Sequence, residues 1–146
     1  MKSVILTKYG APEVLKVKEF KDIDPLNNQV RIKVHYAGIN FAEIMARMKL
    51  YPGGPKPGSV LGGEVSGVID KLGKDVEGLS VGQKVMGLSL GGSYSSQVCI
   101  DADSIIPLPD NFNLDEAAAF PVAYITAYMM IFDLGNLQDK DTFLIH

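Results

Sequence analysis

Cysteine and histidine are nearly missing from this chain of 146 residues, which holds one cysteine, Cys99, and two histidines, His35 and His146. A single thiol cannot build an internal disulfide framework, and it fits a reducing, cytoplasmic compartment. No CxxC pair exists, and His35 falls on the polar face of its expected strand, far in sequence from Cys99. The usual zinc sites are therefore unavailable, and no clustered aspartates suggest a site for a harder cation. His35 reads as a surface strand residue. Cys99, alternating with Val98 and Ile100, reads as a half-buried structural thiol.

Excess positive charge is lacking too. A net charge of −3 argues against a phosphate-binding surface, so nucleic acid is not an expected partner. Long apolar runs are also scarce. The most apolar stretch, Ala117 to Phe132, has no charge but contains Pro121 and falls short of the roughly 20 residues of a spanning helix. It reads as a core helix, with no integral membrane span. The start, MKSVILTKYGAPEV, has an apolar run only from Val4 to Leu6, too short for a signal peptide. No G-x-S-x-G elbow occurs, and Ser89, Ser93, Ser95 and Ser96 sit in a polar hairpin without an obvious base.

What is present is an ordinary globular composition, 47% hydrophobic and 21% charged, enough for one domain with a core. Short strands are expected at Ser3 to Tyr9 and Val14 to Phe20, around the turn Gly10-Ala11-Pro12. Val30 to Tyr36 alternates, with Val30, Ile32, Val34 and Tyr36 on one face and Arg31, Lys33 and His35 on the other. Further strands are expected at Glu64 to Leu72, Lys84 to Leu90, Tyr94 to Ile100 and around Ile105. Short strands with glycine turns suggest a barrel or sandwich.

Asn40 to Met48 predicts a helix capped by Asn40. A second helix begins at Asn113, where Asn-Leu-Asp-Glu resembles a capping box closed by Glu116. Pro121 should break it and open a new helix running to about Leu134, with Gly135 as its stop. The polar stretch Gln138 to Asp141 and the apolar run Thr142 to Ile145 then read as the opening of a buried strand. Helix, loop and strand together read as the start of an α/β unit.

The glycine pairs are not nucleotide fingerprints. Gly91-Gly92 reads as a hairpin turn, and Gly62-Gly63-Glu64 precedes a strand instead of opening a helix. Glu64, a carboxylate entering an apolar strand, needs a partner or a raised pKa, and structural anchoring is its commoner explanation. Asn40, Tyr51, Tyr124 and Thr126 are a polar and aromatic set that is individually unremarkable. Periodicity and spacing stop at a β-rich domain with an α/β beginning.

The order of landmarks carries further. LTKYGAPEVLKV, YAGINFAEIMARMKLY, PGSVLGGEVSGVIDKLGKDVEGLSVGQKV, GGSYSSQVCI and LPDNFNLDEAAAFPVAYITAY resemble the N-terminal part of the medium-chain dehydrogenase/reductase superfamily. The chain is most similar to its zinc-free quinone oxidoreductase branch and the vesicle amine transport protein-like group. The resemblance implies a GroES-like, partly open β-barrel over residues 1–120. Residues 121–146 would be an inter-domain helix and the first strand of a truncated Rossmann domain. The three metal-ligand positions of zinc-dependent members fall at Asn40, Gly63 and Val122, and Glu64 alone remains of their glycine-histidine-glutamate motif.

The resemblance also implies hydride transfer from NADPH to a quinone or an α,β-unsaturated carbonyl, in a longer, homodimeric parent. Asn40 and Thr126 would lie near the nicotinamide, and Tyr51 and Tyr124 at the substrate end, with Tyr51 the expected proton donor or oxyanion partner. An aromatic frequent in quinone reductases is replaced by Met45. The glycine-rich phosphate turn would follow His146, so the piece itself is expected to be inactive and to self-associate. Two other readings compete. One is a membrane- or vesicle-associated scaffold using the apolar surface around Met45, Met48 and Tyr51. The other is a free-standing co-chaperonin, which leaves residues 113–146 without a place.

Overall fold

Alternating apolar and polar residues organise the chain into short antiparallel strands. β1 (Lys2–Leu6) and β2 (Leu15–Glu19) pair as a ribbon, with a 3₁₀ turn at Pro12–Val14 between them. β3 (Gln29–Ala37), β4 (Glu64–Leu72), β5 (Lys84–Leu88), β6 (Gln97–Asp101) and β7 (Ile105–Pro107) form one sheet in the order β6-β3-β4-β5-β7. This computed structural model describes residues 1–145; His146, the last residue of the strand expected from Asp141, lies outside the described residues.

The sheet curls into a partly open barrel, as the sequence predicts, around Val30, Ile32, Val65, Ile69, Val85, Val98, Ile100 and Ile105. Alternate residues of neighbouring strands point to the same face, which is why valine and isoleucine dominate this core. A second, smaller core of Leu6, Val14 and Leu61 lies under the ribbon. Two isolated bridges, Ser3 to Ser95 and Ile5 to Val60, join the ribbon to the barrel.

One sheet expectation fails in an informative way. Alternation puts Tyr36 on the same face as Val30, Ile32 and Val34, which faces the core, but Tyr36 is exposed. The pairing with β4 slips between Val34 and Tyr36, where Val34 faces Gly67 and Tyr36 faces Ser66. One extra residue in β3 reverses the alternation, so Ala37 packs inward instead. Gly67 permits the close approach, because a Cβ there would lie 2.1 Å from the Lys33 carbonyl oxygen.

α1 (Phe41–Arg47) starts at the expected Asn40 cap. α2 (Leu114–Ala118) starts after Asn113, but the expected capping box does not form, since Asn113 makes no side-chain bond. Both Asn113 and Glu116 are exposed, so the first N–H groups of α2 are open to solvent and need no side-chain cap. α3 (Pro121–Tyr128) opens on its proline and continues as a π-helical turn, Met129–Leu134. The left-handed residue after it is Asn136, with φ 48°, and Gly135 itself remains helical.

The apolar stretch read as a core helix is only partly one. Ala117, Ala118 and Pro121 are buried, whereas Tyr124, Tyr128, Met129, Met130, Phe132 and Leu134 are exposed. Thr142 to Ile145 form no strand and pair with no strand among the described residues, and a strand exists only through such pairing. No helix among the described residues is long and apolar enough to cross a membrane.

Candidate functional site

Glu64 opens β4 and is buried to 1% exposure, so its charge needs partners. It has two. Asn40 Nδ2 donates to Oε1 and the backbone N–H of Val122 donates to Oε2, each at 2.8 Å. Val122 is in the first turn of α3, where N–H groups lack helical partners and the helix dipole favours an anion. The carboxylate therefore ties the start of α3 to the start of α1. Gly38 makes room for it: a Cβ there would lie 2.2 Å from Glu64 Oε1 and 2.6 Å from the Ala118 carbonyl oxygen. Beside it, the Ser66 hydroxyl donates to the Leu114 carbonyl and fastens α2 to β4.

α1 next to this anchor forms one wall of a cleft of about 750 Å³. Glu43, Tyr51, Leu61, Gly63, Ser89 and Leu90 are among its lining residues. Glu43 Oε2 accepts a hydrogen bond from the Asn40 backbone N–H at 2.8 Å, which fixes the carboxylate at the cleft wall. The opposite wall is the Ser89–Gly92 turn, where Gly91 and Gly92 both take positive φ. The Ser89 hydroxyl, 2.8 Å from that of Ser93, donates to the Gly91 carbonyl at 2.7 Å and holds the turn in place.

Behind Gly62 lies the ring of Tyr94; a Cβ on Gly62 would meet it at 2.5 Å. The Tyr94 hydroxyl is buried with no hydrogen-bond partner among the described residues. Burial, and then the negative charges of Glu43 and Glu64, push its pKa far above the ordinary tyrosine range.

The structure brings together only part of the expected set. Asn40 sits at the Glu64 anchor and Tyr51, half exposed, lines the cleft. Tyr124 and Thr126 lie outside the cleft on α3, both exposed, with Tyr124 stacked on Phe120 at 4.2 Å between ring centroids. Thr126 is one helical turn past Val122 and so shares its side of α3. His35 is exposed on β3, and Cys99 is half buried on β6, its thiol pushed up mainly by burial. Among the described residues no three His, Cys, Asp or Glu side chains converge as a metal site would require.

Sequence reasoning missed Glu43, Gly38 and the cleft face of Ser89 and Leu90. Glu43 had a signal: it stands three residues after Asn40, the capping-box spacing. Gly38 had none, because only the fold brings residue 38 against residue 64.

Residues 26–110 match the family model for the alcohol dehydrogenase GroES-like domain. The chain is 38% identical to the synaptic vesicle membrane protein VAT-1 homolog of Danio rerio, over 99% of this chain and 30% of that protein. It superposes on the crystal structure of human synaptic vesicle membrane protein VAT-1 homolog-like protein with a TM-score of 0.91 and 32% identity. That alignment covers 94% of this chain and 44% of that one. Escherichia coli quinone oxidoreductase complexed with NADPH gives 0.84 and 34%, over 90% of this chain and 40% of its own.

Proposed function

We propose, since the chain belongs to the alcohol dehydrogenase GroES-like domain family and to the quinone oxidoreductase-like branch of the medium-chain dehydrogenase/reductase superfamily, that it forms the substrate-binding part of a zinc-independent, NADPH-dependent oxidoreductase. The acceptor is a quinone or an α,β-unsaturated carbonyl. Residues 1–120 make the substrate barrel, and residues 121–146 begin the nucleotide-binding domain. The observation that carries this reading is the cleft beside Glu64, with the Tyr51 side chain on its wall.

The residues present fit one end of the cofactor. Asn40, fixed by Glu64, and the exposed Thr126 hydroxyl are amide and hydroxyl groups of the kind that pairs with a nicotinamide carboxamide. They do not cradle its phosphates. The Val122 N–H at the start of α3 is taken by Glu64, whose charge repels an anion. When bound, NADPH supplies the hydride.

This chain's own part is to hold the acceptor and its developing charge. Asn40, Gly63 and Val122 carry no thiolate, imidazole or carboxylate, so a hydrogen-bond donor replaces a Lewis acid at the carbonyl oxygen. Tyr51 is that donor. Tyr124, on the exposed side of α3, closes the substrate end in the longer chain.

The test is NADPH consumption by the longest polypeptide containing this chain, with a naphthoquinone and an enone as acceptors. Tyr51→Phe is expected to lower kcat/KM about a hundredfold, the usual cost of one oxyanion donor. Unchanged turnover in that variant removes Tyr51 from the chemistry. A second reading, a vesicle-associated scaffold, draws on the exposed Phe41, Met48, Leu50 and Tyr51 along and after α1. It predicts no NADPH consumption with any acceptor.

A further inference from the structure

Glu43 has one oxygen engaged and one open. Oε2 is held by the Asn40 N–H at 2.8 Å, while Oε1 has no hydrogen-bond or ion-pair partner among the described residues. The open oxygen stands over Gly63. A Cβ built there would lie 3.5 Å from Glu43 Oε1 and 3.8 Å from the Ser89 carbonyl oxygen, with no other heavy atom among its nearest contacts. Two acceptors thus converge on a space that the missing side chain of Gly63 leaves free. No cationic residue lines the cleft among the described residues, and Glu43 is its one charged group there.

From this we infer that Glu43 is a specificity-determining residue of the cleft: with the Ser89 carbonyl it accepts a hydrogen bond from a hydroxyl or amino donor on the ligand, and it repels carboxylates. The inference rests on the reading of the cleft as the substrate site and narrows the substrate class. The acceptor is a carbonyl compound that bears a hydrogen-bond donor and no negative charge. A site with two fixed acceptors discriminates strongly, because a ligand without a donor leaves both unpaired on desolvation. An anionic ligand adds like-charge repulsion at close range in a partly desolvated cleft.

The experiment is a nuclear magnetic resonance titration of the isotope-labelled chain, reading the backbone amides of Gly62, Gly63 and Gly91. The two probes are 4-(hydroxymethyl)benzylideneacetone and 4-carboxybenzylideneacetone, an enone pair that differs in the polar end alone. The parent chain is expected to favour the hydroxymethyl probe by about tenfold, a ratio that Coulomb repulsion at this range supports. Glu43→Gln keeps an acceptor for the Asn40 N–H, and it should collapse that preference by admitting the carboxylate. Gly63→Ala places a methyl group in the space at ordinary contact distances. It should weaken the hydroxymethyl probe and leave the fold intact.

A preference of the same size in Glu43→Gln overturns the role of Glu43 while leaving the cleft as a binding site. Equal affinity of the parent for both probes does the same. If neither probe shifts the cleft amides, the reading of the cleft fails, and this inference fails with it.

Discussion

Replacing Glu64 by glutamine asks whether the carboxylate is what holds α3 on the barrel. Both of its oxygens accept, from Asn40 Nδ2 and from the Val122 N–H. Glutamine preserves the volume but offers one carbonyl oxygen and one NH2 group. With its oxygen on the Val122 N–H, its NH2 meets Asn40, whose amide must turn over to present Oδ1. The other way round, its NH2 faces the Val122 N–H and leaves that donor unpaired. A hydrogen bond to a charged group contributes about 1.5–3 kcal/mol, and an unpaired buried donor costs about 1–3 kcal/mol. Relief of the desolvation of a buried charge works in the opposite direction. Removing one side of a fully matched buried set is nonetheless destabilising, so the expected loss is about 2 kcal/mol or more. Urea unfolding at constant slope measures it, and hydrogen exchange at the Val122 amide locates it. A Glu64→Gln chain within about 0.5 kcal/mol of the parent, the range of an indifferent surface change, would refute the reasoning.

Two further outcomes are expected. Gly38→Ala should cost about 1–3 kcal/mol through overpacking against Glu64 and the Ala118 carbonyl, measured by the same unfolding experiment. Gly53→Ala, with φ 68° and nothing within 4 Å, serves as its control and should cost only about 1–2 kcal/mol from backbone conformation. For Tyr94, the folded chain holds the phenolic proton more tightly than the unfolded chain, whose ordinary value is 10.0. Its contribution is therefore fully present below about pH 10 and declines as pH rises beyond it. Tyr94→Phe should abolish that alkaline loss when unfolding midpoints are compared on either side of pH 10.

Much of the barrel is legible because its signal is local. Val30 to Val34 alternate, Glu64 to Leu72 reads as one apolar strand, and the positive-φ glycines 91 and 92 mark a turn, so short windows suffice. Asn40 as a helix cap is legible for the same reason. The bulge in β3 is not, since it is a property of pairing with β4 and no residue at positions 34 to 36 announces it. The Glu64 anchor was half legible. A carboxylate in an apolar strand demands a partner, but the partners lie 24 residues before it and 58 after it. The apolar run Thr142 to Ile145 marks the limit of a local signal. Its composition suits a strand, yet a strand exists only through a neighbour's backbone groups. Tyr51 enters the site through the family resemblance, whereas the cleft that it lines forms only when the fold sets residues 42–63 against the turn at 89–92.

The slip in β3 has a consequence for how this domain tolerates change. Before it, the strand addresses the barrel core through Val30, Ile32 and Val34; after it, through Ala37, and the next residue, Gly38, backs Glu64. The single surplus residue works as a reading-frame adjustment between two messages on one strand. A substitution at His35 or Tyr36 alters a letter on an exposed surface. A deletion there shifts the frame, turns Ala37 outward and withdraws Gly38 from the carboxylate that seats α3. Between Val30 and Gly38, the quantity that the fold must inherit is the number of residues more than their names.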